Sequence, residues 1–518
     1  MNLAALIEGL AVRAVRGDPA SVRVCDLTED SRTAVPGSLF VARRGLTFDG
    51  RGFIEPAIEC GATSVLTDDE HVEIPPLSPA HKSVCVLATD DIPRVSAQMA
   101  ERFYGDPSSK LSLIGVTGTN GKTTVGHLIH QLLNAAGLRC GLIGTVEVDD
   151  GREVAPASMT TPPAIELSRT LSQIVEHRGK AAVMEVSSHA LDQGRAGALA
   201  FDGAVFTNLS GDHLDYHKTM DEYARAKGRL FAALPGEGGA IVNADDPRCA
   251  QMTGGRRITC SAIGRADWTV AVKAGSLDGS DLEIRGPNIA IDARVPLFGD
   301  HNAMNTLEAV ACACDVLRRH GRSDESIAED LTSALPRTHA PAGRMERVST
   351  SADAATVFVD FAHTDDALDK CLASVRTHLP EGRDLWVVIG CGGNKDQTKR
   401  PRMGRVAAER ATRAVFTSDN PRTEPPNDII TGMMEGVEQA KRHDVLVHAD
   451  RRCAIRAAIE GAGKGDVIVL AGRGHESEQE VAAPEGGVVR VPLDDRKIAR
   501  DVLREVRLRR ETPEEQDA

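Results

Sequence analysis

Short apolar runs alternate with longer amphipathic stretches along most of the chain, most clearly from residue 110 onward. The run at 110–118 ends in a glycine-rich turn, and the stretch at 122–137 has the spacing of a helix that stops at a glycine. Strands that are apolar along their whole length are typical of a parallel sheet covered by helices on both faces. The pattern therefore predicts an α/β core. Its further strands are predicted at 180–187, 201–210 and 239–246.

A second alternation follows the helical pattern at 301–320 and a linker at 335–346 that is rich in proline, glycine and polar residues. This order indicates a Rossmann-like domain in the last third of the chain. Its strands are predicted at 356–363, 383–393, 413–421, 444–450 and 466–476. Residues 256–298 have a shorter period and indicate a small β addition.

The sequence thus predicts an α/β protein of three domains. We expect a small N-terminal α/β domain at 1–108, a central parallel-sheet domain with a phosphate loop at 109–340, and a Rossmann-like C-terminal domain at 341–508. The acidic and polar end of the chain, 509–518, is expected to be a disordered tail.

The composition narrows the functional classes. The 518 residues carry a formal net charge of −14 and only 3% are aromatic, so no nucleic-acid partner is expected. No segment reaches about 18 consecutive apolar residues, so no membrane span is expected. Glu8 interrupts the first apolar run, which favours an amphipathic helix over a signal peptide. The 11 cysteines are scattered, which favours reduced thiols in the cytoplasm.

The segment 114–124, IGVTGTNGKTT, has the Gly-Lys-Thr ending of a phosphate loop but not the standard glycine spacing. Gly118 and Gly121 can nevertheless adopt positive φ and bring backbone N–H groups close to phosphate oxygens. The helix that begins near Lys122 adds its N-terminal dipole. Lys122 supplies a positive charge for the β/γ-phosphates, and Thr123 can ligate Mg²⁺. A glycine-rich turn with one exposed lysine is the alternative interpretation.

This unusual spacing resembles the loop of the Mur ligase family, ATP-dependent amide-forming enzymes that read G-x-x-G-K-[ST]. Further segments along almost the whole chain carry the resemblance in the family's order. Those before residue 310 are DSR (30–32), GSLFVA (37–42), MTTP (159–162), MEVSSHAL (184–191), TNLSGDHLDYH (207–217), YARAKGRLF (223–231), NADD (243–246) and HNAMN (301–305). Those after it are GRME (343–346), VDFAHTDDAL (359–368), GCGGNKDQTKRPRMG (390–404), SDNPRTE (418–424) and AGRGHE (471–476).

The resemblance implies a ligase that activates a carboxylate with ATP and joins it to an amine through an acyl phosphate. It implies UDP-N-acetylmuramoyl-L-Ala-D-Glu as the nucleotide-sugar substrate and meso-diaminopimelate as the amino acid, in cytoplasmic peptidoglycan precursor synthesis. The N-terminal domain would then bind UDP, the central domain ATP, and the C-terminal domain the amino acid. We expect the protein to be a monomer.

The resemblance also implies the catalytic groups. Mg²⁺ would be held by Thr123, Glu185, His213 and by Lys227, which the family carries as a carbamate formed from CO₂. Arg344 would neutralise charge on the transferred phosphoryl group. The ATP-binding residues implied are Gly118, Thr119, Asn120, Gly121, Lys122, Thr123, Thr124, Asn302 and Asp360. From the residues alone, Lys227 is an ordinary surface lysine of a helix, His213 a capping or core histidine, and Arg344 a salt-bridge partner.

Substrate-binding residues follow in the same way. For the UDP-muramoyl dipeptide they are Glu29, Ser31, Leu46, Thr47, Phe48, Thr160, Thr161, Ser187, Gln193 and Arg195. For meso-diaminopimelate they are Lys395, Asp419, Asn420, Pro421, Arg422, Gly472 and Glu476. Arg422 can bind the distal carboxylate of that substrate through two parallel hydrogen bonds, and Glu476 with Gly472 can hold its distal ammonium group.

Four positions depart from the family's pattern: Lys395 for Arg, Arg473 for Lys, Asp365 for Pro and Met159 for Asn. They put individual contacts in doubt, since Lys395 lacks the planar fork of arginine. Three alternatives stay open. The enzyme could add L-lysine, it could be a folylpolyglutamate synthetase of the same family, or it could be a catalytically inactive P-loop binding protein.

Overall fold

A computed structural model describes residues 1–45, 49–72 and 84–511, together with the backbone but not the side chains of 214–215 and 510–511. Its α-helices are α1 Leu3–Ile7, α2 Ile54–Glu59, α3 Ile92–Phe103, α4 Lys122–Ala135, α5 Ala164–Glu176, α6 Ser188–Asp192, α7 Leu214–His217, α8 Met220–Ala232, α9 Asp300–Arg319, α10 Asp324–Ala334, α11 Asp365–His378, α12 Lys399–Arg410, α13 Pro426–Met434, α14 Arg451–Gly461 and α15 Asp495–Glu511. No helix in the described ranges is long and apolar enough to cross a bilayer.

The first half of the strands lies before residue 245. They are β1 Arg13–Arg16, β2 Asp26–Thr28, β3 Ser38–Ala42, β4 Ser64–Thr67, β5 Cys85–Ala88, β6 Ser112–Thr117, β7 Cys140–Ile143, β8 Glu147–Asp149, β9 Val154–Pro156, β10 Ala181–Glu185, β11 Gly203–Phe206 and β12 Gly239–Asn243. The remaining strands are β13 Arg256–Ser261, β14 Trp268–Ser276, β15 Gly279–Gly286, β16 Ile289–Val295, β17 Glu346–Arg347, β18 Thr356–Asp360, β19 Leu385–Ile389, β20 Arg413–Phe416, β21 Val445–Val447, β22 Val467–Ala471, β23 Glu478–Ala482 and β24 Val488–Pro492.

The described residues divide into two compact units. The first comprises Met1–Val270, Ile284–Ile291 and Met304–Ala334, and the second comprises Ala271–Glu283, Asp292–Ala303 and the described part of Leu335–Ala518. The three predicted domain boundaries stay a prediction. The last helix reaches Glu511, so the first three residues of the predicted tail are helical, and 512–518 lie outside the described residues.

Two sheets build the first unit. The N-terminal sheet has the order β1-β5-β4-β3-β2, in which only the edge strand β1 runs antiparallel to its neighbour. The central sheet contains the parallel succession β13-β12-β11-β6-β10-β7. Strand β6 lies between β10 and β11, so the carboxyl ends of these three strands meet at one edge. That edge positions the phosphate loop, Glu185 and the segment that follows Phe206.

The second unit contains a six-stranded sheet of order β17-β18-β22-β19-β20-β21, parallel except for β17. Alternate residues of its central strands enter different cores: Val387 and Val469 pack on one face, and Val388 and Leu470 on the other. The sheet is therefore covered on both faces, as the continuous apolar runs predict. Burial of both faces is what allows these strands to be apolar at every position.

A buried ion pair connects the carboxyl edge of this sheet to the last helix. Arg451 begins α14 and Asp495 begins α15, and neither side chain is exposed. Arg451 Nη2 and Nε both donate to Asp495, while Nη2 also donates to the carbonyl of Ala471 at 2.8 Å and Nη1 to that of Ser418 at 3.4 Å. The ends of β20 and β22 are thus tied through one guanidinium to α15.

Replacing Arg451 by methionine is expected to lower the free energy of unfolding by about 3–5 kcal/mol, because the Asp495 carboxylate would stay buried without its partner. The matched control is Arg456→Met on the same helix, whose guanidinium forms an exposed pair with Glu505 and whose loss should have a much smaller effect. Chemical denaturation of both purified variants measures the difference. Equal destabilisation by the two substitutions would contradict the assignment.

Candidate functional site

The phosphate loop occupies the turn between β6 and α4. Gly118 has φ +151° and Gly121 has φ +87°, a region that side-chain-bearing residues rarely adopt. A Cβ atom on Gly118 would collide with the Thr207 hydroxyl, and one on Gly121 would lie 2.6 Å from Asn305 Oδ1. Both glycines are therefore required by conformation and by space, and the short spacing between them is a working feature of this loop.

Two lysines converge on a single carbonyl in this loop. Lys122 Nζ donates to the Gly118 carbonyl at 3.0 Å and to the Thr119 carbonyl at 2.8 Å. Lys227 Nζ donates to the same Gly118 carbonyl at 2.7 Å and is only 1% exposed. Burial, and secondarily the charge of Lys122, hold the pKa of Lys227 well below its ordinary value. Lys227 is thus not a surface lysine, and its surroundings favour the uncharged amine more than water does.

Glu185 lies at the end of β10 and is fixed by two threonines. Thr123 Oγ1 donates to Glu185 Oε2 at 2.9 Å. Thr145 donates to the same carboxylate twice, from its backbone N–H at 2.7 Å and from its hydroxyl at 3.0 Å. The carboxylate is therefore held against the first turn of α4, which brings together two of the predicted metal ligands.

His213 precedes α7 and has φ +54°, which is uncommon for a residue with a side chain. Its ring lies 4.8 Å from the ring of His189 and 6.2 Å from that of Tyr223, over which Lys227 Nζ sits at 4.5 Å. Burial lowers the pKa of His213, although neighbouring Asp212 opposes the shift. A neutral imidazole is the form that can ligate a metal.

The described residues contain no group of three or more His, Cys, Asp and Glu side chains arranged to hold a metal ion. The predicted set contains only two side chains of these types, Glu185 and His213, together with a threonine hydroxyl and a modified lysine. The oxygen donors among them suit a hard cation such as Mg²⁺. The donor chemistry therefore fits the predicted metal, and the ligand set itself stays a prediction.

The residues predicted to contact the muramoyl peptide form one hydrogen-bonded group beside Glu185. Thr161 Oγ1 donates to the Glu185 carbonyl at 2.9 Å and accepts from the Ser187 backbone N–H at 3.1 Å. Arg195 Nη1 donates to the Thr161 carbonyl at 2.8 Å, and Arg195 Nη2 donates to Gln193 Oε1 at 2.7 Å. The hydroxyl oxygens of Thr160 and Thr145 lie 3.1 Å apart, within hydrogen-bond distance, which connects this group to Glu185.

The N-terminal sheet contributes charges to the same region. Glu29 follows β2, and its Oε2 atom lies 3.3 Å from Arg43 Nη2. Burial raises the pKa of Glu29 despite the opposing charges of Arg43 and Arg195. Ser31 is buried at the start of a short 3₁₀ turn. The predicted contacts at Leu46, Thr47 and Phe48 lie outside the described residues.

In the second unit, Asn302 and Arg344 line one cavity of about 270 Å³. The guanidinium of Arg344 lies 4.4 Å from the centre of the Phe361 ring. Asp360 at the end of β18 accepts from the Met345 backbone N–H at 2.8 Å. Burial raises the pKa of Asp360, and the nearby charge of Arg344 opposes this shift. Asn302 and Asp360, predicted to bind ATP, and Arg344, predicted to be catalytic, thus all lie at or near the segment 344–345.

The residues predicted for the amino acid meet where β20 and β22 end. Asn420 Nδ2 donates to Glu476 Oε2 at 2.8 Å, and Arg473 Nη1 donates to Asn420 Oδ1 at 2.9 Å. Arg473 has no exposed surface and lies 3.4 Å from Glu476. Gly472 has φ +104°, and a Cβ atom at this position would lie only 3.0 Å from Asp419 Oδ2. Asp419, Asn420, Gly472 and Glu476 therefore form one compact cluster.

Arg422 lies on the same loop as Asn420 and forms an ion pair with Glu480. Its Nε atom lies 2.8 Å from Glu480 Oε2, and its Nη1 atom donates to the Gly393 carbonyl at 2.9 Å. Pro421 precedes it, and its carbonyl packs close to the Cα of Gly393. Lys395, by contrast, is exposed. Its predicted contact with substrate stays a prediction.

Sequence reasoning missed several residues of these groups. Thr145 and Arg43 lie in segments without a distinctive motif, and Glu480 lies in a strand of mixed polarity. The departures at Arg473 and Met159 are accommodated, since Arg473 donates to Asn420 and the Met159 sulfur lies 3.5 Å from Arg195 Nη1. No local signal in the sequence indicates these contacts, because each joins segments far apart in the chain.

Three family models match the chain in order. They describe the Mur ligase family catalytic domain (residues 26–104), the Mur ligase middle domain (116–313) and the Mur ligase glutamate ligase domain (343–474). A protein of Chlorobaculum tepidum is 42% identical over 491 residues, 93% of each chain. The chain belongs to the Mur ligase family.

Two of the most similar relatives have the same name. Those of Chlorobaculum tepidum and of Synechococcus elongatus, the latter 40% identical over 98% of this chain and 99% of its own, are both UDP-N-acetylmuramoyl-L-alanyl-D-glutamate--2,6-diaminopimelate ligases. A solved structure with that name is 29% identical, has a TM-score of 0.64 and covers 98% of this chain and 99% of its own. A folylpolyglutamate synthase of Mycobacterium tuberculosis, 18% identical with a TM-score of 0.58 over 73% of this chain and 92% of its own, shares the fold.

Gly118→Ala is expected to abolish binding of ATP and ADP to this Mur ligase, because the added methyl group would collide with Thr207 and the backbone would be strained. The control is Gly126→Ala within α4, where a Cβ would meet only ordinary contacts at 3.8 Å or more. Equilibrium binding of a fluorescent ATP analogue to both variants, with their melting temperatures, separates loss of binding from loss of folding. Wild-type affinity in Gly118→Ala would contradict the assigned role of the loop.

Proposed function

We propose that the protein is an ATP-dependent ligase that joins meso-diaminopimelate to the D-Glu γ-carboxylate of UDP-N-acetylmuramoyl-L-Ala-D-Glu. The observation that carries the choice of amino acid is the cluster at the ends of β20 and β22. There Asn420 accepts from Arg473 and donates to Glu476, and Arg422 lies two residues further along the same loop. The Arg422 guanidinium and the Glu476 carboxylate would complement a substrate end that carries a carboxylate and an ammonium group.

The reaction needs activation, since a carboxylate in water does not condense with an amine. The γ-phosphoryl group of ATP passes to the D-Glu γ-carboxylate, which gives an acyl phosphate and ADP. The amine of diaminopimelate then attacks the acyl carbon, and phosphate leaves as the amide forms. The tasks of the protein are to position the three substrates, to compensate the phosphate charges and to exclude water.

The phosphate loop is proposed to bind ATP through the backbone and side chains of Gly118–Thr124. Lys122 compensates charge on the β- and γ-phosphates, and Asn302 with Asp360 contacts the nucleotide. Arg344 is proposed to stabilise charge on the transferred phosphoryl group. Its planar cation already lies against Phe361, which limits the orientations it can take.

Mg²⁺ is proposed to be held by Thr123, Glu185, His213 and a carbamate on Lys227. When bound, the ion compensates the negative charge that gathers on the phosphates during transfer. Thr145 keeps the Glu185 carboxylate in place by two hydrogen bonds. Every ligand named lies at the carboxyl edge of the central sheet or in the segments that follow it.

The surroundings of Lys227 favour its carbamylation. A neutral amine is the form that reacts with CO₂, and burial holds the pKa of this amine well below its ordinary value. The carbamate, formed from the neutral amine and CO₂ with release of a proton, carries a negative charge that is attracted to nearby Lys122. The carbamate thereby supplies an anionic ligand at a position where the gene encodes a cation.

The UDP-muramoyl dipeptide is proposed to bind along Glu29, Ser31 and the loop Leu46–Phe48 at its uridine end. Its peptide end is proposed to contact the threonine and serine hydroxyls near Glu185, and Arg195. Arg43 joins this set as a second guanidinium near Arg195 that can face the anionic substrate. The residues proposed for the peptide end are Thr160, Thr161, Ser187, Gln193 and Arg195.

Diaminopimelate is proposed to bind between Asp419, Asn420, Arg422, Gly472 and Glu476, with Pro421 shaping the loop and Lys395 near the α-carboxylate. L-Lysine lacks the distal carboxylate, so it gains nothing from Arg422 and is the second candidate substrate. We further propose that the enzyme is a monomer and works in the cytoplasm.

The purified protein, supplied with the UDP-muramoyl dipeptide, ATP and Mg²⁺, is expected to release ADP in the presence of meso-diaminopimelate and to do so far more slowly with L-lysine. Coupled ADP detection and mass spectrometry of the tripeptide product measure both. Faster turnover with lysine would replace the proposed amino acid. No amine-dependent ADP release with either would show a catalytically inactive binding protein.

Lys227→Ala is expected to lose nearly all activity, because both the metal ligand and the compensation of Lys122 would be missing. Short-chain carboxylates such as acetate or propionate should restore part of it by filling the space of the carbamate. The control is Lys180→Ala, on the short connection that precedes β10. Unchanged activity in Lys227→Ala, or full loss without rescue by any carboxylate, would count against the carbamate.

A further inference from the structure

The hairpin of β23 and β24 lies against the amino-acid cluster, which consists of Asp419, Asn420, Gly472 and Glu476. Its two strands form a separate antiparallel sheet. Arg422 forms an isolated parallel bridge with Val481 of β23, so the loop that carries Asn420 and Arg422 runs alongside the hairpin. The residue of β23 next to this bridge is Glu480.

The backbone of Glu480 is hydrogen-bonded to both functional residues of that loop. The Arg422 N–H donates to the Glu480 carbonyl at 2.9 Å. The Glu480 N–H donates to Asn420 Oδ1 at 2.9 Å, the same oxygen that accepts from Arg473. Glu480 is therefore held in place by its main chain, independently of its side chain.

The side chain of Glu480 determines how the Arg422 guanidinium is oriented. Nε of Arg422 pairs with Glu480 Oε2 at 2.8 Å, and Nη1 donates to the Gly393 carbonyl at 2.9 Å. Two anchored nitrogens fix both the position and the plane of the group. Nη2 has no hydrogen-bond partner among the described residues, so the end of the guanidinium remains available for an incoming acceptor.

We propose that Glu480 is a positioning residue that holds Arg422 ready for the distal carboxylate of the amino-acid substrate. It thereby sets the preference of the ligase for an amino acid with a carboxylate at its far end. The inference rests on the proposed function. Glu480 acts through Arg422, since its side chain contacts the Nε edge and leaves Nη2 available to the substrate.

The pair is more constrained than an ordinary surface salt bridge. The two side chains are only 24% and 28% exposed, and backbone hydrogen bonds already place the residues side by side. Little side-chain entropy is therefore lost when the ion pair forms, whereas an isolated surface pair loses much of its gain in this way. A guanidinium without Glu480 would have to be ordered by each substrate molecule as it binds.

The test compares the full-length wild type with Glu480→Ala and Glu480→Gln in steady-state ligation. Glu480→Ala is expected to raise the KM for meso-diaminopimelate about 10-fold, since the ion pair is lost and the substrate must order the Arg422 side chain as it binds. Its kcat and its KM for ATP should stay within about twofold, and its KM for L-lysine should change little. Glu480→Gln keeps an acceptor without the charge, so its KM should lie between those of the wild type and Glu480→Ala.

Glu478→Gln is the matched control. Glu478 lies two residues away on the same face of β23 and is 53% exposed, and the contact of its carboxylate with Arg490 is a loose one at 3.9 Å. A second comparison places Glu480→Ala in an Arg422→Ala background. If Glu480 acts through Arg422, its removal should cause no further rise in the KM for diaminopimelate there.

Each outcome decides a different claim. A wild type that does not ligate diaminopimelate, or that prefers lysine, overturns the proposed function and this inference with it. An active wild type whose Glu480→Ala variant has an unchanged or lowered KM for diaminopimelate overturns the inference alone. If Glu480→Ala raises the KM for diaminopimelate equally in the wild type and in Arg422→Ala, Glu480 does not act through Arg422. Melting temperatures identify a variant that is merely unfolded, and in that case the Glu480→Gln value decides.

Discussion

The carbonyl oxygen of Gly118 accepts hydrogen bonds from two lysines, and much of the catalytic edge follows from that arrangement. Two ammonium groups this close repel each other, and no carboxylate among the described residues is hydrogen-bonded to Lys227. Burial lowers the pKa of Lys227, and the charge of Lys122 lowers it further, so the neutral form of Lys227 is favoured. An anion bound at this loop would therefore offset the positive charge of Lys122. The phosphates of ATP and the carbamate proposed for Lys227 would both supply such a negative charge.

The positions of the other groups depend on the topology of two parallel sheets. In the first unit β6 lies between β10 and β11, which brings the phosphate loop, Glu185 and Asn208 to one edge. In the second unit the ends of β20 and β22 bring Asn420 and Glu476 together in the same way. In each case residues remote in sequence become neighbours because parallel strands all end on one side. The alternation of strand and helix is therefore sufficient to bring such residues together at the carboxyl ends of the strands.

The sequence predicts those elements whose cause is local. Apolar runs bounded by glycine predict β6 and the strands of the second unit, and Gly118, Gly121 and Lys122 indicate the loop directly. Contacts that depend on long-range packing were not predictable in this way. Thr145 reaches Glu185 from the turn between β7 and β8, and nothing in its own neighbourhood reveals the contact. The resemblance to a family indicates which residues take part, whereas the hydrogen bonds among them depend on this chain's own packing.

The guanidinium of Arg451 connects α15 to the strand ends that carry Asp419 and Gly472. It joins Asp495 at the start of α15 to the carbonyls of Ser418 and Ala471, which immediately precede Asp419 and Gly472. Helix α15 therefore stabilises the position of Asp419, which lies far from it in the sequence. A C-terminal truncation that removes α15 would release the two strand ends that carry the cluster. Affinity tags are therefore expected to disturb the cluster less when they are placed after Glu511 than when they replace this helix.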